Sequence, residues 1–207
     1  MVRKPAGAGR RAGESGTREA ILASARRSFY ELGYDRTSVR GIAQAAGVDP
    51  ALVIHFYGSK QQLFVRVVEL PFVPAEVLPR ILEGQSSHVG ARLARFFLGV
   101  LETEESRLRI IGLVRSAASE PEAALMVREL ISRELFVPLI EGLGSADAPL
   151  RASLIGAQVV GLVMARYIVA VEPIASIESD VLERILAPAF QRLLVGTLDS
   201  ANDATPS

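Results

Sequence analysis

A single glycine between two short helical runs constrains this chain more than any other feature. Over Thr37–Phe64 the sequence reads TSVRGIAQAAGVDPALVIHFYGSKQQLF. Thr37 is placed to cap a helix over Ser38–Ala46, its hydroxyl accepting from an orphan N–H of the first turn. Ile42, Ala43 and Ala46 give that helix one apolar face. At Gly47 the chain must enter the left-handed region to turn, and glycine does so without a steric penalty. Asp49 then caps a second helix with Pro50 at its first position, where the missing N–H removes no hydrogen bond. Val48, Leu52, Val53 and Phe56 are expected on its inward side. Small Ala43 before the turn, with Val53 and Phe56 after it, is the spacing of a helix-turn-helix, whose second helix enters the DNA major groove.

The rest of the chain reads as helices in an all-α fold. Residues 1–16, rich in Gly, Ala, Arg and Ser, lack apolar periodicity and are expected to form a disordered arm carrying Arg10 and Arg11. Thr17–Leu32 places Ile21, Ala25, Phe29 and Leu32 on one face, and Gly33 stops that helix. Ser59 caps Lys60–Leu70, with Leu63, Phe64 and Val67 inward. Pro71 and Pro74 then break the pattern, so a first domain is placed at 17–70, a larger helical one at 71–199, and a disordered tail at 200–207. Helices are expected over Ala75–Glu83, Val89–Thr103, Glu105–Ser119, Glu122–Glu141, Pro149–Val171 and Ser179–Val195, with no alternating run long enough for a strand.

Composition narrows the function classes. Apolar residues make up 49% of 207, enough for a buried core. With no cysteine and two histidines, disulfides and cysteine-ligated metal are excluded and a zinc site is disfavoured. The N-terminus has no apolar signal-like run, which favours the cytoplasm. The zero net charge hides an asymmetry: residues 1–66 hold eleven basic and five acidic side chains, net +6, and the remainder holds twelve basic and eighteen acidic, net −6. A basic end on an acidic body suits one end binding phosphates while the other stays away from them. Leu154–Val171 is strongly apolar, but Gln158 and Arg166 interrupt it, so a packed helix is favoured over a membrane span. No phosphate-binding glycine loop or nucleophile signature appears, and no enzyme activity or cofactor is expected.

Thr17–Phe64 resembles the DNA-binding domain of tetracycline-repressor-like (TetR family) transcriptional regulators. The matching pieces are FYELGYDRTSVRGIA, AAGVDPALV and HFYGSKQQLF. LRASLIGAQVVGLVMARYIVAVEPIAS and APAFQRLLVG are similar to the C-terminal regulatory domain of one branch of that family. The resemblance implies a homodimeric, ligand-responsive regulator of double-stranded DNA. Its DNA contacts would come from Ser38, Arg40, Asp49, Pro50, Ala51, Ile54, His55 and Lys60, with Arg10 and Arg11 reaching from the arm. Each makes physical sense: Arg40 can fork onto guanine or a phosphate, Ser38 can donate to a phosphate at a helix N-terminus, and Pro50 and Ala51 fit a thymine methyl. Asp49 can accept from cytosine or only cap its helix, and Tyr57 can bind phosphate or pack in the core. Ile54 departs from the family, whose members usually carry tyrosine or histidine there, and Val39 stands where many carry threonine.

Ser153, Ala157, Gly161 and Ala165 recur every fourth position and form a small-residue stripe that lets another helix approach. By resemblance this helix and the next, with Phe190 and Leu194, would form the dimer interface; packing within one chain is the alternative. The family's effector pocket lies in the C-terminal body, where Phe72, Phe96, Phe97, Arg115, Met126, Met164 and Tyr167 are candidates. Core packing is the competing role for each, and Arg115 can instead pair with Glu120 or Glu122. A helical binding or interaction protein without operator binding is the alternative function; Arg40, Lys60 and the basic arm speak against it.

Overall fold

The computed structural model describes residues 8–198, with side chains from Ser15 onward. Among the described residues every regular element is helical, so the fold is all-α. The chain divides into two compact units, one ending at Leu70 and the other beginning at Pro71.

The first unit holds α1 (Ala8–Arg36), α2 (Val39–Ala46), α3 (Pro50–Tyr57) and α4 (Lys60–Val68). Residues 8–16 are helical backbone rather than the disordered arm expected for them. Ala, Arg and Glu are strong helix formers, and extending a nucleated helix costs little even through scattered glycines. Gly33 breaks the regular helix at φ +75°. Ile21, Ala25 and Phe29 are buried as their spacing implies, whereas Leu32 is exposed. The Tyr34 ring takes the inward place instead, 5.8 Å from Phe29 and 5.2 Å from Phe64. Phe64 meets Phe29 edge-on at 5.1 Å, which joins α4 to α1.

The second unit contains α5 (Pro74–Leu82), a 3-10 turn (Ser86–His88), α6 (Val89–Glu102), α7 (Glu104–Ser119) and α8 (Pro121–Glu129). After these come α9 (Phe136–Gly142), α10 (Ala148–Val163) and α11 (Ser179–Val195). Two expected long helices contain π-helical segments, Leu130–Leu135 between α8 and α9 and Met164–Ile168 after α10. Pro138 has no N–H to return to the carbonyl of Glu134, and the first of these wider turns lies just ahead of it. After α10 the helix widens before it ends, with the Val169 N–H reaching Met164 O at 2.8 Å.

α6 crosses α11 so closely at Gly90 that a Cβ there would stand 2.4 Å from Ala187 O and 2.5 Å from Gln191 N. Gln191 clips the crossing from both sides. Its Oε1 accepts from Gly90 N–H and its Nε2 donates to Ser86 O, each at 2.8 Å. Arg151 is buried and donates to three carbonyls: Ala146 O at 2.7 Å, and Leu193 O and Gly196 O at 2.8 Å. Its positive charge thus lies at the negative end of α11. Ala148–Ile168 is long and apolar enough to cross a membrane by length and composition. Core helices of globular domains meet the same criterion, and here Ala152 and Ile155 share one core with Phe136, Leu139 and Phe190.

Candidate nucleic-acid interface

The helix-turn-helix is fixed by side chains next to each helix end. Ser38, not Thr37, caps α2: its Oγ accepts from Gly41 N–H at 3.0 Å. Thr37 is buried, and its hydroxyl lies 2.9 Å from Ser28 O and 2.7 Å from Gly33 O, latching the end of α1 to the start of α2. Two adjacent hydroxyl residues precede the helix, and only tertiary packing decides which one turns inward. Gly47 ends α2 at φ +68°, ψ 33°, the left-handed conformation its position required. The carboxylate of Asp49 accepts from Ala51 N–H at 2.7 Å, so Asp49 is a cap. Ser59 caps α4, accepting from Gln62 N–H at 3.1 Å.

These caps hold one exposed edge. Ser38, the cap of α2, and Arg40 within it are exposed, as are Pro50, Ala51, Ile54 and His55 of α3. The Ser38 hydroxyl accepts from its own helix and keeps its hydrogen for an outside acceptor. On the opposite side Ile42, Ala43 and Val53 are buried. Leu52, expected inward, is 38% exposed because it follows Ala51 around the outer side of the helix. Phe56 is half-buried, with the Arg18 guanidinium 4.9 Å over its ring.

Two expected phosphate contacts are engaged within the unit. The Tyr57 hydroxyl donates to Arg18 O at 3.0 Å, tying the end of α3 to α1. Burial raises its phenol above the ordinary range, against the lowering pull of Arg18 and Arg66. The Lys60 ammonium lies 4.2 Å over the Tyr34 ring and 3.5 Å from Asp35 O. Arg10 and Arg11 sit in the first turns of α1, with side chains outside the described residues.

Two family models match the chain. One, for bacterial regulatory proteins of the tetR family, covers residues 21–67, and the other, a tetracyclin repressor-like C-terminal domain, covers residues 87–194. The second alone spans more than half of the sequence. The chain belongs to the TetR family. A solved TetR-family regulator from Streptomyces coelicolor is 35% identical, covering 94% of this chain and 99% of that one, with a TM-score of 0.40. HTH-type transcriptional repressors named AcnR from Corynebacterium efficiens and Corynebacterium glutamicum are 39% identical over 49 residues. That match takes 24% of this chain and about a quarter of those relatives' length, 26%. TetR proteins are transcriptional regulators rather than enzymes, and the first unit of this member is its DNA-binding domain.

The effector-site candidates of this TetR protein separate into groups. Phe72 and Phe96 meet edge-on at 5.0 Å, both half-buried. Phe97 and Met126 are buried. Met164 and Tyr167 lie half-buried in a π-helical segment, where Arg166 Nε donates to the Tyr167 hydroxyl at 3.1 Å. Arg115 is exposed and does not line an interior site. It lies one residue past the buried Ile110–Val114 face of α7, on the outward arc.

The small-residue stripe of α10 is turned outward in the chain: Ser153, Ala157 and Gly161 are exposed and Ala165 is half-buried. Phe190 and Leu194, expected in the subunit interface, are instead fully buried in their own unit, at 1% and 0% exposure. They continue the inward row that starts at Leu182, while Arg184, Ile185, Pro188 and Ala189 lie on the outward side of α11.

Proposed function

We propose that this TetR-family regulator is a cytoplasmic homodimeric repressor. It binds a pseudo-palindromic operator through α2 and α3 and leaves it when a small-molecule effector binds the C-terminal unit. The observation that carries this reading is the exposed edge from Ser38 and Arg40 to Pro50, Ala51, Ile54 and His55, held by caps on a buried apolar base. The net charge of +6 over residues 1–66 supports phosphate attraction. The Corynebacterium relatives are transcriptional repressors, which favours repression here.

Dimerisation is supported by the outward stripe of α10 together with exposed Leu150, Leu154 and Ile185. Two recognition helices on one face of B-DNA stand about 34–36 Å apart, which sets the half-site spacing. Effector release requires that the ligand favour a state whose operator affinity is lower.

The test is fluorescence anisotropy with a duplex selected from random DNA, alongside sedimentation. Arg40→Ala is expected to weaken the selected duplex by about 1–3 kcal/mol and to narrow its advantage over random DNA. At Gly161 an added Cβ meets nothing within 4 Å in the chain itself. Gly161→Leu therefore keeps the protomer folded and is expected to yield monomers with lost operator affinity. A dimer of unchanged affinity overturns the interface, and equal binding to all DNA overturns operator recognition.

A further inference from the structure

The eight residues of α3 divide cleanly around the helix. At about 100° per residue, Val53, Phe56 and Tyr57 fall on one side, buried or half-buried. Pro50, Ile54, Ala51, His55 and Leu52 succeed one another around the other side, and all five are exposed. Of these five side chains only that of His55 is able to hydrogen-bond. The polar groups flanking the helix are engaged within the unit. Asp49 accepts from Ala51 N–H, the Tyr57 hydroxyl donates to Arg18 O, and the Lys60 ammonium lies over the Tyr34 ring.

Ile54 is the bulkiest group near the centre of this outer arc, 46% exposed, with Pro50 and Ala51 low on either side of it. A surface of this kind has little to offer the acceptors and donors of a base edge. The major groove presents one apolar group, the C5-methyl of thymine. Resting on the DNA-binding function proposed above, we infer that Ile54, with Ala51 beside it, is a specificity-determining residue that reads thymine methyls. Base choice by hydrogen bonding then falls to Arg40 and His55, both exposed at the same edge.

The experiment starts with selection of preferred duplexes from a random DNA pool by the full chain. Single thymines in the selected site are then replaced by deoxyuridine, which removes the methyl and leaves every hydrogen-bonding group in place. One or two replacements under α3 are expected to weaken binding roughly fourfold each, the equivalent of exposing one methylene-sized group. Ile54→Ala should impose a similar loss on the thymine duplex and abolish the deoxyuridine effect, so that the two changes do not add. Ile54→Val should retain part of both. Melting temperatures of the variants check the fold. Enriched sites that bind equally with deoxyuridine overturn methyl reading while leaving operator recognition standing. A deoxyuridine effect that survives Ile54→Ala assigns the methyl contact elsewhere and overturns the role of Ile54. Failure of any sequence to enrich overturns operator recognition and this inference with it.

Discussion

The two units close their helices in different ways. In the N-terminal unit the starts of three helices are secured locally: Ser38, Asp49 and Ser59 cap α2, α3 and α4 with their own side chains, and Gly47 supplies the left-handed turn. In the C-terminal unit α5, α6, α7, α8, α10 and α11 all begin without a side-chain cap bond. Two of these ends are tied from far away in sequence. Gln191 holds the start of α6, and Arg151 holds the end of α11. The edge proposed to meet DNA thus starts from local cap bonds, to which Thr37 and Tyr57 add ties to α1. The C-terminal unit depends on packing between helices, the kind of contact that a ligand can shift.

Substitutions that separate local from tertiary control sharpen this contrast. Gly90→Ala carries the largest expected effect. Helix propensity alone favours alanine by about 1 kcal/mol, yet the added methyl collides with the backbone of Ala187 and Gln191. We expect a net loss of about 3 kcal/mol or more by calorimetry; a rise in melting temperature would mean that α6 and α11 are not locked together. Arg151→Met is next, at about 2–3 kcal/mol, because buried carbonyls at the end of α11 lose their donors. Chemical denaturation reads this loss, and a neutral outcome would remove Arg151 as the tie.

In the N-terminal unit the expected losses are smaller and local. Gly47→Ala meets open space but is strained at φ +68°, so it should cost about 1–2 kcal/mol. Ser59→Ala should cost about 1 kcal/mol through the lost cap. Both are measured by thermal melting, and a loss as large as that of Gly90→Ala would erase the distinction between the units. Tyr57→Phe is the smallest, about 1 kcal/mol, through the bond to Arg18 O. Burial raises the Tyr57 phenol, so the folded state prefers the neutral form. That contribution is complete below the free-phenol value of about 10 and is lost as pH rises through the folded value. The phenylalanine variant should lack this alkaline component of denaturation.

The helix-turn-helix was legible because its determinants lie within a few residues of the structure they specify. Gly47, Asp49, Pro50 and Ser59 act on backbone groups one to three positions away, and the 3.6-residue period of Ile21, Ala25 and Phe29 marks a buried face directly. The exposed edge of Arg40, Ala51 and Ile54 follows from the same periodicity. What stayed hidden were choices between equivalent local options. Thr37 and Ser38 both carry a hydroxyl before α2, and burial against Ser28 and Gly33 sends one inward while the other caps. Phe190 and Leu194 form an apolar row that serves a core or an interface equally well by pattern, and the close approach of α6 commits it to the core. The sequence by itself therefore determined the turn at Gly47, the caps at Asp49 and Ser59 and the apolar period of the helices, since those depend on short-range torsions and hydrogen bonds. Only the tertiary structure decided which apolar side is buried and which polar side chain is consumed internally, because these depend on residues as far apart as Gly90 and Gln191.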